Sequence, residues 1–127
     1  MDVEEIKAQL RQQHPESRIV ENAPDGTRIT ELVREDADTA NAVSSSAMAV
    51  IERSPRHHHD QMTEVYRLVR GTLTLFVDQE THQLAAGDEF RIDPGRTHWA
   101  ESDPADPAWV EVICTPPFTP ADYFLDL

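Results

Sequence analysis

The chain has 127 residues, 39% hydrophobic and 28% charged, which is the length and balance of one globular domain. Its 24 acidic against 11 basic residues give a net charge of −13, and without clustered Lys and Arg neither nucleic acid nor an anionic membrane surface is an expected partner. The single cysteine excludes an intramolecular disulfide, no apolar stretch reaches membrane-spanning length, and the start Met1-Asp-Val-Glu-Glu-Ile-Lys7 is acidic where a secretory signal is basic, so a cytoplasmic location is expected.

Residues 3–13 (VEEIKAQLRQQ) place Val3, Ile6 and Leu10 at three- and four-residue spacing, with Glu4 and Glu5 near the start and His14-Pro15 after the end. This predicts a short amphipathic helix, with a lead-in strand before residue 24. The pattern then changes period. Runs over 28–33 (RITELV), 47–51 (AMAVI), 65–69 (VYRLV), 73–77 (LTLFV), 89–92 (EFRI) and 109–113 (WVEVI) are short and rich in strand formers. Turn signals lie between them, at Pro24-Asp-Gly26, Gly71, Asp78-Gln-Glu80, Gly87-Asp88, Asp93-Pro-Gly95 and 103–107. Strands so closely spaced, with no long helices between, predict an all-β antiparallel sandwich or barrel. Cys114 ends the last run, where a buried, inert thiol is expected. Thr119 as a cap and Pro120 at the first helical position predict one short closing turn. The expected organisation is helix and lead-in strand over 1–24, barrel over 25–118 and closing turn over 119–127.

His57-His58-His59 followed by Glu64 carries the chemistry. On an extended segment, residues two apart share a face, so His57 and His59 point together while His58 points away. Glu64 opens the next strand, and a tight reversal over 59–64 brings its carboxylate to the two imidazoles. His98, after the Pro94-Gly95 turn, is available as a fourth ligand. Three imidazoles and one carboxylate suit Mn, Fe, Co, Ni, Cu or Zn and leave coordination positions open for water or substrate.

The spacing itself is informative. His57-x-His59, four residues, Glu64, six residues and Gly71 are followed by Gly87, Gly95-Arg-Thr-His98. This resembles the two motifs of the cupin superfamily, Gly-x5-His-x-His-x(3,4)-Glu-x6-Gly and Gly-x5-Pro-x-Gly-x2-His-x3-Asn. The departures are Ile51, Asp93 and Ser102, which stand where the motifs have Gly, Pro and Asn, and none of them is a ligand. The resemblance implies a single-domain jelly-roll β-barrel, with one divalent transition metal held by His57, His59, Glu64 and His98. It also suggests a homodimer built by sheet packing. It implies a small metalloenzyme acting on a small polar or anionic metabolite, by oxygenase, isomerase or lyase chemistry. The alternative is a non-catalytic module that binds or senses a small molecule.

Tyr66 shares a face with Glu64 and is the candidate for proton transfer, since a phenol beside a cationic metal loses its proton more readily. The plainer reading is a core aromatic with a bonded hydroxyl. Arg70 has the same phase, and at the edge a surface salt bridge is expected rather than an anion clamp. Trp99 alternates away from His98 and is expected to cover the outside of its sheet or a subunit contact. Tyr123 and Phe124 are expected on the outer wall, with closure over the barrel mouth as the alternative. His14 and His82, among polar neighbours, are expected to be solvated.

Overall fold

The helix forms where its spacing places it. α1 spans Val3–Gln13, Asp2 caps it by accepting the Glu5 N–H at 3.1 Å, and Ile6 and Leu10 are its buried residues. The computed structural model describes residues 1–36 and 43–126; residues 37–42, inside the span expected for the barrel, and Leu127 lie outside the described residues. The strands are β1 (Arg18–Asn22), β2 (Glu31–Glu35), β3 (Ser45–Ile51), β4 (His57–His58), β5 (Thr63–Arg70), β6 (Thr72–Val77), β7 (Glu80–Ala85), β8 (Glu89–Ile92), β9 (His98–Glu101), β10 (Ala108–Thr115) and β11 (Phe124–Leu125). A 3₁₀ turn over Pro120–Asp122, capped by Thr119, precedes β11. None of the described helices is long and apolar enough to cross a membrane.

The strands form two antiparallel sheets, ordered β1-β2-β3-β10-β5-β8 and β11-β4-β9-β6-β7, in a jelly-roll arrangement. Strand alternation decides what each face buries. Ala49, Ile51, Tyr66, Leu68 and Val110 from the six-stranded sheet meet Leu73, Leu75, Val77 and Ala100 from the five-stranded one, forming the core between them. Val50, Leu32 and Trp109 face outward and are covered by Ile6 and Leu10 of α1. Arg34 fastens this helix. It is 2% exposed, donates to the Leu10 carbonyl at 2.7 Å, and pairs with Asp36.

Several expectations change. The run at 28–33 becomes a strand only from Glu31, because Thr30 turns a corner: its carbonyl accepts the N–H groups of Glu52 and Arg53. β7 carries almost no apolar pattern, burying only Leu84 at the sheet edge. His82 lies on it, half-buried and 4.3 Å from the Phe90 ring between centroids, rather than fully solvated. Arg70 makes no salt bridge among the described residues. The β5–β10 register shifts between Trp109 and Val110, pairing Trp109 with Arg70. That bulge turns Arg70 to the outer face, where its guanidinium lies 5.0 Å from the Trp109 ring centroid, a cation–π contact.

Candidate metal centre

His57 and His98 are cross-strand partners of β4 and β9 in the five-stranded sheet. Glu64 lies on β5 of the other sheet, opposite Ile92 and Cys114. The short link from His59 to β5 carries the chain from one sheet to the other, so the four side chains meet between them. All four are buried, and their candidate ligand atoms lie within 4.8 Å of one another. His58 points the other way, as alternation requires, to the Asp126 carboxylate at 2.9 Å and onto the Phe124 ring.

Each of the three histidines donates its Nδ1–H to a backbone carbonyl: His57 to Pro55 at 2.8 Å, His59 to Asp122 at 2.5 Å and His98 to Arg96 at 3.0 Å. A carbonyl only accepts, which fixes the tautomer and leaves each Nε2 facing inward. His59 Nε2 and His98 Nε2 both stand 2.9 Å from Glu64 Oε1. In the neutral tautomers these three buried atoms are all acceptors without a donor. Such atoms repel unless a proton or a cation lies among them. The buried His₃Glu group therefore suits a metal ion.

The charge states agree. Where a second proton on His59 or His98 takes the place of a cation, the histidines donate to Glu64, which outweighs the burial that disfavours its anion and holds this carboxyl well below the usual carboxylate range. Burial and the neighbouring His98 push His57 down to about 4, leaving it neutral at pH 7. For His59, burial works against the cation, but Glu64 prevails and raises its pKa. The other oxygen of Glu64 is placed by the Cys114 thiol at 3.8 Å. Burial and Glu64 push that thiol far above its ordinary value, which fits the inert cysteine expected from sequence.

The loop between His59 and β5 is held from afar. The Asp122 carboxylate accepts the backbone N–H groups of Asp60 (2.7 Å), Gln61 (3.1 Å) and Met62 (3.0 Å). From the other side, the Gly95 N–H donates to the His59 carbonyl at 2.6 Å. Ser102, at the position of the motif's Asn, donates to the Ile51 carbonyl and accepts from the Ala108 N–H at 3.0 Å. Two of the three departures, Ile51 and Ser102, thus bond to each other.

The cluster opens into a cavity of about 1090 Å³, lined among others by Tyr66, Tyr123, Cys114, Val112 and Ala49. Tyr66 is 3% exposed, with its ring edge-on to His98 at 6.1 Å. Burial and the carboxylates of Glu64 and Glu31 raise its pKa well above the ordinary value, so the protein surroundings keep it protonated. Tyr123 lies over the site rather than on the outer wall, stacked on His57 at 4.7 Å. Phe124 stacks on His58, and β11 pairs with β4. Trp99, as expected, packs outside its strand against Phe76 at 4.7 Å, with Arg56 over its ring. Sequence reasoning missed Asp122, Asp126 and the Asn22–Glu31 pair on the cavity wall. The Thr119-Pro120 signal located the closing turn but not the loop it grips.

A family model described as the cupin domain matches residues 46–114. No curated protein matches the sequence. Among solved structures, Streptomyces Pac13 with uridine superposes with a TM-score of 0.70 at 15% identity, over 89% of this chain and 87% of that one; it is described as a nucleoside dehydratase. KdgF from a Halomonas species gives 0.66 at 16% identity, over 81% and 91%. A sugar phosphate isomerase of the cupin superfamily from Silicibacter pomeroyi gives 0.65 at 20% identity, over 84% and 74%. At such identities these likenesses show the fold alone.

Proposed function

This chain belongs to the cupin family, and from that premise we propose that it is a metal-dependent enzyme acting on a small polar or anionic metabolite. One observation carries the reading: three imidazoles locked by carbonyls at Nδ1 turn their Nε2 atoms, with one buried carboxylate oxygen, toward a common point. His57, His59, Glu64 and His98 would hold a single divalent transition metal. When bound, such an ion supplies a Lewis acid that polarises a carbonyl, carboxylate or hydroxyl oxygen.

The chain's own residues supply the rest. Tyr66 keeps its proton at Oη and faces the cavity, so it donates a hydrogen bond to a substrate oxygen and is placed to pass that proton on as negative charge develops there. Tyr123 covers His57 and keeps bulk water from that side of the cluster. The apolar wall at Ala49 and Val112 shields the ligand and strengthens polar contacts within the site. The chemistry is of the isomerase, lyase or oxygenase kind. Solved cupin-fold neighbours include a nucleoside dehydratase and a sugar phosphate isomerase, which supports small-molecule chemistry on this scaffold.

The test is elemental analysis of protein purified without a nickel column, with about one transition-metal ion per chain expected. A stoichiometry near zero overturns the proposal. Small acids, sugars and sugar phosphates are then screened for thermal stabilisation, because a ligand of the native state raises its melting point. Tyr66→Phe should keep the metal and lose turnover; retained turnover removes Tyr66 from the mechanism, and ligand binding with no turnover in the wild type favours a binding or sensing module.

A further inference from the structure

The wall opposite the inner strands is built by the β1–β2 hairpin, and its cavity face consists of three cross-strand pairs. These are Arg18 with Glu35, Val20 with Val33, and Asn22 with Glu31. Leu32 and Arg34 alternate to the other face, beneath α1. Among the described residues lining the cavity, Glu31 and Glu64 are the two buried carboxylates. Glu64 has its histidines. Glu31 has a neutral partner, the Asn22 amide, which donates to it at 2.7 Å.

A buried carboxyl without a cation is costly, and a Leu or Gln would fill the same space with less penalty. The contrast within this protein is Glu52, equally buried but ion-paired with Arg28. A buried acid that faces a cavity and is left unneutralised marks a group whose proper partner is a ligand.

We propose that Glu31, held by Asn22, is a second binding group of the site and reads a hydroxyl of a polyhydroxylated ligand whose other end sits at the His57, His59, Glu64 and His98 cluster. This rests on the metal reading above and adds the substrate class to it. Burial pushes the Glu31 carboxyl up to about 7 against the pull of the Asn22 bond, so near neutrality it both donates and accepts. A hydroxyl also does both and pairs with either state, whereas a second carboxylate or a phosphate meets repulsion from the ionised form. The remaining N–H and the carbonyl of the Asn22 amide offer a neighbouring hydroxyl the same choice.

The test compares D-gluconate with 2-hydroxyhexanoate by calorimetric titration of the zinc-loaded protein. Both carry the carboxylate and α-hydroxyl that a metal would bind, and they differ in the distal hydroxyls. The wild type should bind gluconate about tenfold more tightly or better, the value of one well-made buried hydrogen bond. Glu31→Leu should bring the ratio near one with zinc stoichiometry unchanged. Glu31→Gln, which keeps a polar end for Asn22 and for the ligand, should restore most of the preference. A wild-type ratio near one, an unchanged ratio in Glu31→Leu, or no binding of either acid overturns the subsite while leaving the metal reading in place. A wild-type protein that takes up no zinc overturns the metal reading first, and the subsite with it.

Discussion

Replacing Asp122 by Ala tests whether the closing turn organises the metal loop. The Asp122 side chain is 6% exposed and accepts three consecutive backbone N–H groups, from Asp60, Gln61 and Met62, at 2.7 to 3.1 Å. A hydrogen bond to a charged group contributes about 1.5–3 kcal/mol, and an amide left without its partner recovers part of that from water. Taking about 1–1.5 kcal/mol for each donor, Asp122→Ala should lose about 3–5 kcal/mol in urea unfolding. The loss should also depend on pH. Burial alone raises this carboxyl, but the three amides prevail and hold it below 3.8. Stability of this origin is present above the unfolded value of 3.8 and is lost as pH falls through the lower folded value. The gap between wild type and Asp122→Ala should therefore be full at pH 6 and shrink in strong acid. The loop joins His59 to the strand of Glu64, so metal affinity should fall about 10- to 100-fold, as for outer-shell groups generally. Asp122→Asn keeps one acceptor oxygen and should fall between. If Asp122→Ala unfolds within about 0.5 kcal/mol of wild type and binds metal equally well, the closing turn does not hold this loop.

Three further outcomes follow from the packing. In the metal-free protein Glu31 should contribute a falling slope of stability as pH rises from the unfolded Glu value of 4.5 toward its folded value of about 7, because the folded state there binds the extra proton, while the depressed His57 contributes a rising one. Glu31→Gln should remove that slope, gaining about 3 kcal/mol over wild type at pH 8 and almost nothing at pH 4; parallel pH profiles would contradict the buried acid. Gly71 has φ +86°, and a Cβ there would lie 3.4 Å from the Ala108 backbone, so Gly71→Ala should cost about 1–3 kcal/mol in urea unfolding. Arg34→Ala breaks the bond to the Leu10 carbonyl and strips Asp36 of its partner. It should cost about 3–5 kcal/mol and speed amide hydrogen exchange in α1 ahead of the strands.

The sequence determined what depends on short separations. A 3.6-residue period at Val3, Ile6 and Leu10 becomes the helix, and period-two runs at 47–51, 65–69 and 73–77 become the core strands. Alternation sends His57 and His59 to one side and His58 to the other. The motif spacing selects Glu64 and His98, because β4 and β9 pair at His57 and His98. Tertiary structure decided what depends on one sheet meeting the other. Asp122 reaches its loop across about sixty residues of chain, with no local pattern to announce it. A single bulge in β5 opposite Trp109 reverses the face of Arg70, since one extra residue inverts every side chain beyond it. The pairing of Asn22 with Glu31 is local, but that pair becomes a cavity wall only when the hairpin is placed against the core. Periodicity states which residues share a face; packing states what that face meets.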